Sequence, residues 1–125
     1  MKSPDNQIHT QSTCNARLVA VGDALYVIGG KWKLRIILAL SEGPRRFNDL
    51  QRTVEGISAR VLSNELKDME QNGFIKRNVF VQTPVIIEYE LLEYSQTVMP
   101  ILQALSDWGM QHRTYVKHKD QEKKE

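Results

Sequence analysis

One cysteine, four prolines and an aromatic share of only 7% are the scarcities of this 125-residue chain. The lone thiol, Cys14, excludes an intramolecular disulfide framework and any zinc site built on cysteines. The three histidines, His9, His112 and His118, lie near the two ends rather than at metal-ligand spacing. No stretch approaches the roughly 18 consecutive apolar residues of a membrane span. The polar opening residues show neither the apolar core nor the small-residue cleavage site of a secretory signal. The expectation is a protein of the reducing cytoplasm, without membrane, metal or cofactor. A phosphate-binding glycine loop and a nucleophile set beside a base are missing too, which argues against an enzyme.

Charge is scarce in another sense: 17 Lys plus Arg against 15 Asp plus Glu leave a formal +2. That total does not mark a nucleic-acid binder, so the distribution of charge must decide. The length suits one domain with a modest core. Composition divides it into a flexible arm over 1–13, a domain over 14–112 and a charged tail over 113–125.

Within the domain, Leu18, Val21, Leu25 and Ile28 recur at helical spacing and are stopped by Gly29 and Gly30. Trp32, Ile36, Ile37 and Leu40 predict a largely buried second helix, ended by Gly43 and Pro44. Asn48 with Gln51 three residues on has the form of a capping box and predicts a short third helix over about 49–54. Ser58 is a suitable N-cap and Gly73 a suitable C-terminal stop for a fourth helix over 58–72. "FIKRNVF" and "VIIEYEL" are β-branched and aromatic and predict a hairpin. Val98, Ile101, Leu102, Leu105 and Trp108 then make the seam of a last helix, kinked or restarted at Pro100. Trp32, Phe47 and Tyr89 each lie within an apolar pattern and belong to the core rather than to a binding surface.

The fourth helix carries the function. At about 100° per residue, Leu62, Leu66 and Met69 gather on one side, and Arg60, Ser63, Asn64 and Lys67 on the other. The second stripe holds two cations and no acid; Glu65, Asp68 and Glu70 flank it. These residue types suit a DNA major groove: Arg forks onto guanine, Asn onto adenine, Ser bonds base edges or phosphate, and Lys neutralises phosphate. A short helix, a glycine turn and a longer helix are the helix-turn-helix arrangement, and the hairpin would be its wing. A solvated helix face is the plain alternative for the stripe alone.

Three stretches, "DALYVIGGKWKLRIILAL", "GPRRFNDLQRTVEGISARVLSNELKDMEQNGFIKR" and "IEYELLEYSQTVMPILQALSDWG", resemble the HxlR-type winged helix-turn-helix regulators, a bacterial group related to the MarR regulators. The resemblance spans about 14–112. It implies a mainly α, α+β winged helix-turn-helix domain with a two-stranded wing. It also implies a homodimer on double-stranded operator DNA, with the first and last helices as the dimer interface. The recognition pattern falls on Ser58, Arg60, Ser63, Asn64 and Lys67, and the wing on 77–86. Two departures stand out: Ile86 precedes "IEY" where the family commonly has a basic residue, leaving Arg77, Gln82 and Thr83 as wing contacts. Leu92 replaces the usual threonine at the start of the last helix, leaving that cap to Ser95 or to no side chain.

Arg45, Arg46 and Arg52 flank the short helix, which in this architecture crosses the DNA backbone, so phosphate contact is expected beside the alternative of ordinary surface arginines. Leu18, Val21 and Leu25, with Leu102, Leu105 and Trp108, exceed what one small core needs and point to burial shared between two copies. Many relatives sense oxidants or electrophiles through a cysteine where Cys14 stands, often followed by proline; Asn15 follows here. A half-buried thiol without a signalling role is the alternative, and any disulfide must join two chains. Two functions follow: a sequence-specific regulator with a small-molecule or oxidant effector, or a winged-helix interaction or ligand-sensing module without specific DNA binding.

Overall fold

The computed structural model describes residues 11–124. Its elements are α1 (Gln11–Ile28), α2 (Lys33–Leu40), α3 (Phe47–Thr53), α4 (Ala59–Gln71), β1 (Ile75–Phe80), β2 (Ile86–Leu91), a 3-10 segment (Glu93–Val98) and α5 (Met99–Lys124). The two strands pair antiparallel from Ile75 with Leu91 to Phe80 with Ile86.

The core gathers around α4. Leu62, Leu66 and Met69 are buried there with Ile36, Ile37 and Leu40 of α2, Leu50 of α3, Val54, Ile57, Phe74 and Ile75. Each such side chain contributes roughly 1.5–3 kcal/mol by leaving water. Both ends of α4 are closed by local chemistry. Ser58 Oγ accepts from the Val61 N–H at 3.1 Å, satisfying a donor that the first turn leaves open. At the other end Gly73, at φ +80, donates to Glu70 O at 3.1 Å, and Phe74 donates to Met69 O at 3.0 Å. That crossed pair is the Schellman motif. It turns the chain straight into β1.

Trp32, Phe47 and Tyr89 pack against this core as half-buried residues, in agreement with the sequence. Tyr89 also holds the hairpin to the helices: its backbone N–H donates to Arg45 O at 2.8 Å and its carbonyl accepts from Arg45 N–H at 3.0 Å.

The structure departs from the expectations at four places. The helix over 49–54 starts earlier, at Phe47, and its N-cap is Arg46 without a side-chain bond. Asn48 and Gln51 form no capping box; the Gln51 amide reaches Ile57 O instead. The backbone bridge from Arg45 to Tyr89 sets the chain direction before Asn48 is reached. For the C-terminal helical segment the structure takes the second of the two alternatives, no side-chain cap: the segment starts after Leu92 without one, and Ser95 is fully buried with its hydroxyl donating to Leu92 O at 2.6 Å.

The first helix begins at Gln11, so the end of the expected arm over 1–13 is helical, and residues 1–10 lie outside the described residues. The expected charged tail is also helical, since α5 continues to Lys124. Extending a formed helix costs far less than nucleating one. Beyond Gly109 the chain meets no glycine or proline and is rich in Lys, Gln and Glu. Pro100 sits in the first turn of α5, where its missing N–H has no partner to lose.

Two ion pairs made by one lysine tie α2 to α4. The Lys33 ammonium lies 2.9 Å from Glu65 and 3.1 Å from Asp68, with its own side chain 16% exposed. Burial works against the charge, but the hydrogen bonds to Glu65 and Asp68 outweigh it and raise the ammonium pKa above the ordinary 10.5. Lys33→Met, which keeps the stem and removes the charge, is expected to lower stability by roughly 1–3 kcal/mol, leaving Glu65 without its partner. Because the native pKa is raised, the contribution is complete below the unfolded value and is lost as pH rises through the native one. Urea unfolding at one protein concentration checks both points: the gap between the two proteins narrows above pH 10.5.

Candidate nucleic-acid interface

α3 and α4 are joined by a turn in which the Ile57 N–H donates to Val54 O and Gly56 has φ +89. A side chain at that φ is strained, so glycine is what permits the tight connection. With its Leu62, Leu66 and Met69 face held in the core, α4 turns Arg60, Asn64 and Lys67 fully outward and leaves Ser63 half-buried on the same side. The structure therefore brings the predicted stripe together on one exposed face. Ser58 caps that helix, so the positive end of the helix dipole lies at the same surface.

The charge of this face follows from Lys33. By holding Glu65 and Asp68, its single positive charge offsets half of the negative charge that these two of the three flanking acids carry. Among the described residues Arg46, Arg60, Lys67 and Arg77 have no carboxylate within pairing distance. The result is a local positive surface on a nearly neutral chain. The sequence did not reveal Lys33's part, because it lies 32 residues before Glu65 and on another helix.

The three arginines around α3 separate. Arg46 is exposed and unpaired at the helix start. Arg52 remains exposed beside Asp49, with which it pairs. Arg45 is the most engaged of the three: its Nε donates to Ala39 O at 2.8 Å, Nη2 lies 2.9 Å from Glu42, and Nη1 reaches Thr53 Oγ1 at 3.4 Å. That guanidinium fastens the end of α2 to α3.

On the wing, Arg77, Gln82 and Thr83 are exposed. Lys76 is engaged with Glu90 at 3.1 Å; the Asn78 amide and this ammonium together hold the Glu90 carboxyl below its ordinary pKa. Ile86 is half-buried opposite Phe80.

α1 and α5 leave most of their apolar residues in water. Leu18 is 65% exposed and Trp108 62%; Val21, Leu25 and Leu105 are exposed as well, and Leu102 is half-buried against the core. Cys14 is exposed in a shallow recess that it lines with Arg17, Leu18 and Val21.

A three-helix core carrying a helix-turn-helix and a two-stranded hairpin defines a winged helix-turn-helix protein. The profile of the HxlR-like helix-turn-helix family matches residues 27–117, and the chain belongs to that family. It is 41% identical over 93 residues to the uncharacterized HTH-type transcriptional regulator BH0655 of Halalkalibacterium halodurans, covering 74% of this chain and 82% of that one. Among solved structures it is similar to the redox regulator HypR in its oxidised form, with a TM-score of 0.70, 36% identity and coverage of 74% of this chain and 95% of that one. The diamide-treated YodB of B. subtilis is also similar, with a TM-score of 0.63, 33% identity and coverage of 74% and 91%. The protein is a helix-turn-helix transcriptional regulator.

Arg45→Ala is accordingly expected to lower stability by roughly 1–2 kcal/mol through its lost hydrogen bonds. At a temperature where the variant is fully folded, its DNA affinity should match that of the unaltered chain. A clear loss of affinity in folded protein would return that guanidinium to the DNA surface.

Proposed function

We propose that two copies of this chain form a homodimer through α1 and α5 and bind a pseudo-palindromic operator in double-stranded DNA, placing one α4 in each of two major grooves. The observation that carries this reading is the outward stripe of α4, whose two cations are unpaired while Lys33 holds two neighbouring acids. Arg60 and Asn64 read base edges, Ser63 bonds a base edge or phosphate, and Lys67 neutralises phosphate. The Ser58 end of α4 faces the backbone with its N–H dipoles. Arg46 and Arg52 contact phosphate from α3, and Arg77, Gln82 and Thr83 contact DNA from the wing. The half-sites lie about one helical turn apart, or a small multiple of it. DNA as partner places the protein in the cytoplasm.

The dimer is supported by the apolar length of α1 and α5. A contiguous apolar surface on one copy marks an interaction site, and a second copy presents the complementary surface by symmetry. A redox response through Cys14 is supported by its exposure and by the likeness to HypR and YodB. Two Cys14 thiols, one from each copy, would lose two protons and two electrons to an oxidant and form one S–S bond.

DNA from upstream of the protein's own gene, titrated against salt and random competitor, tests the central reading. Specific binding should weaken by about 0.9 log units per neutralised phosphate for each log unit of salt. Arg60→Ala should cost roughly 1–3 kcal/mol and relax preference at particular bases, whereas Arg46→Ala should weaken all sequences alike. Binding no tighter than competitor would favour the interaction or ligand-sensing module.

Leu105→Glu tests the assembly. Sedimentation should fall from the mass of two chains to that of one, and the oxidant-induced dimer band on non-reducing gels should fade, as it should also in Cys14→Ser. A Leu105→Glu chain that still sediments as a pair would place the interface elsewhere.

A further inference from the structure

Lys31, Trp32 and Lys33 are consecutive, and folding sends their side chains to three different places. Lys33 reaches the acids of α4, at 2.9 Å from Glu65 and 3.1 Å from Asp68. Trp32 lies half-buried over the turn that leads into α4: a Cβ on Gly56 would stand 3.9 Å from the edge of its indole. Lys31 is exposed, and its ammonium sits 4.8 Å from the centre of that ring. Arg35, exposed one helical turn further on, brings its guanidinium to 5.6 Å from the same centre.

One indole therefore holds two cations. Among the described residues neither has a carboxylate within pairing distance. Arg35 shares a recess with Thr53 and Val54, at the end of α3, and with Glu42 and Glu55. Glu42 is held by Arg45, and Glu55 pairs with neither cation. An aromatic face attracts a cation through its quadrupole and leaves the net charge in place. A carboxylate would have cancelled it. The ring restricts where two long side chains go while their charges stay open to an outside anion, so less freedom is lost when such an anion binds. Both charges stand at the α3–α4 turn, next to the end of α4 that Ser58 caps.

We infer that Lys31 and Arg35 are phosphate-binding residues of this regulator, gripping the DNA backbone beside the α3–α4 turn, and that Trp32 is the positioning residue that holds them both. The inference rests on the DNA-binding reading above. It gives α2 a share of the salt dependence and none of the base preference, since a phosphate contact carries no sequence information.

The test measures binding of the full-length protein to duplexes that it selects from a randomised pool, and to random duplexes, over a range of salt. Lys31→Gln and Arg35→Gln alter exposed positions, and their thermal unfolding should match that of the unaltered chain. Each should flatten the slope of log K against log salt by about 0.9, and the double variant by about twice that. Near 0.1 M salt each should weaken selected and random duplexes alike, by roughly fivefold to tenfold. Trp32→Leu keeps an apolar side chain in place and removes the ring. At a temperature where it is fully folded it should bind more weakly with the slope unchanged, Lys31→Gln should cost less in its background, and Trp32→Phe should recover most of the loss. A double variant with the slope of the unaltered chain overturns the proposal, as does a loss confined to particular sequences. A cost of Lys31→Gln that is undiminished beside Trp32→Leu overturns the role of the ring. A double variant that sediments as one chain where the unaltered protein sediments as two places these cations between copies, and also overturns the proposal. Arg60→Ala serves as the control: if it weakens no selected duplex, the DNA reading itself fails; if it does and the double variant keeps its slope, the phosphate pair alone fails.

Discussion

Helix α4 has two incompatible faces, and the domain is arranged around satisfying both. Leu62, Leu66 and Met69 must leave water, and the core built on α2, α3 and the start of the hairpin accepts them. Once they are inside, the 3.6-residue repeat allows only one outward set, which is Arg60, Ser63, Asn64 and Lys67. Ser58 and Gly73 fix where the helix begins and ends, so the rotation and the register of that outward set are both determined. Lys33 then acts on the charge of the exposed face from behind it. By binding Glu65 and Asp68 it removes negative charge beside the stripe without occupying the stripe itself.

The outer helices obey the same requirement at a larger scale. α1 contributes Ile28, and in part Val27, to the core at its end, and α5 contributes Met99 and Leu102 at its beginning, while the rest of each helix leaves its large apolar residues in water. A core of this size has no more faces to offer them. A second copy would provide the burial that one copy lacks, and two helix-turn-helix units linked in that way would be related by a two-fold axis, as are the half-sites of a palindromic operator. The stability of the outer helices and the symmetry of DNA recognition would then have one physical origin.

Much of this was legible in residue order because it rests on local chemistry. The cap at Ser58, the stop at Gly73, the inward face of α4, the hairpin and the core placement of Trp32, Phe47 and Tyr89 each follow from residues close together along the chain. What residue order did not show has more than one cause. Asn48 and Gln51 have the spacing of a capping box, but a backbone bridge to Tyr89, 44 residues beyond Arg45, starts α3 earlier. Arg45 looked like its neighbour Arg46 until folding brought Ala39 O, Glu42 and Thr53 around it. The charged tail read as an arm because composition counts apolar residues and does not register that an existing helix propagates cheaply.

The sequence by itself determined the order of the elements, the two faces of α4 and the family resemblance, since helical period, capping and turn preference act over a few residues. Only the tertiary structure decided which charges remain free. Lys33 meeting Glu65 and Asp68, Arg45 turning inward, Lys76 pairing with Glu90 and an uncharged wing tip standing in water are all outcomes of packing. An ion pair depends on distance in space, and that distance exists only after the core has closed.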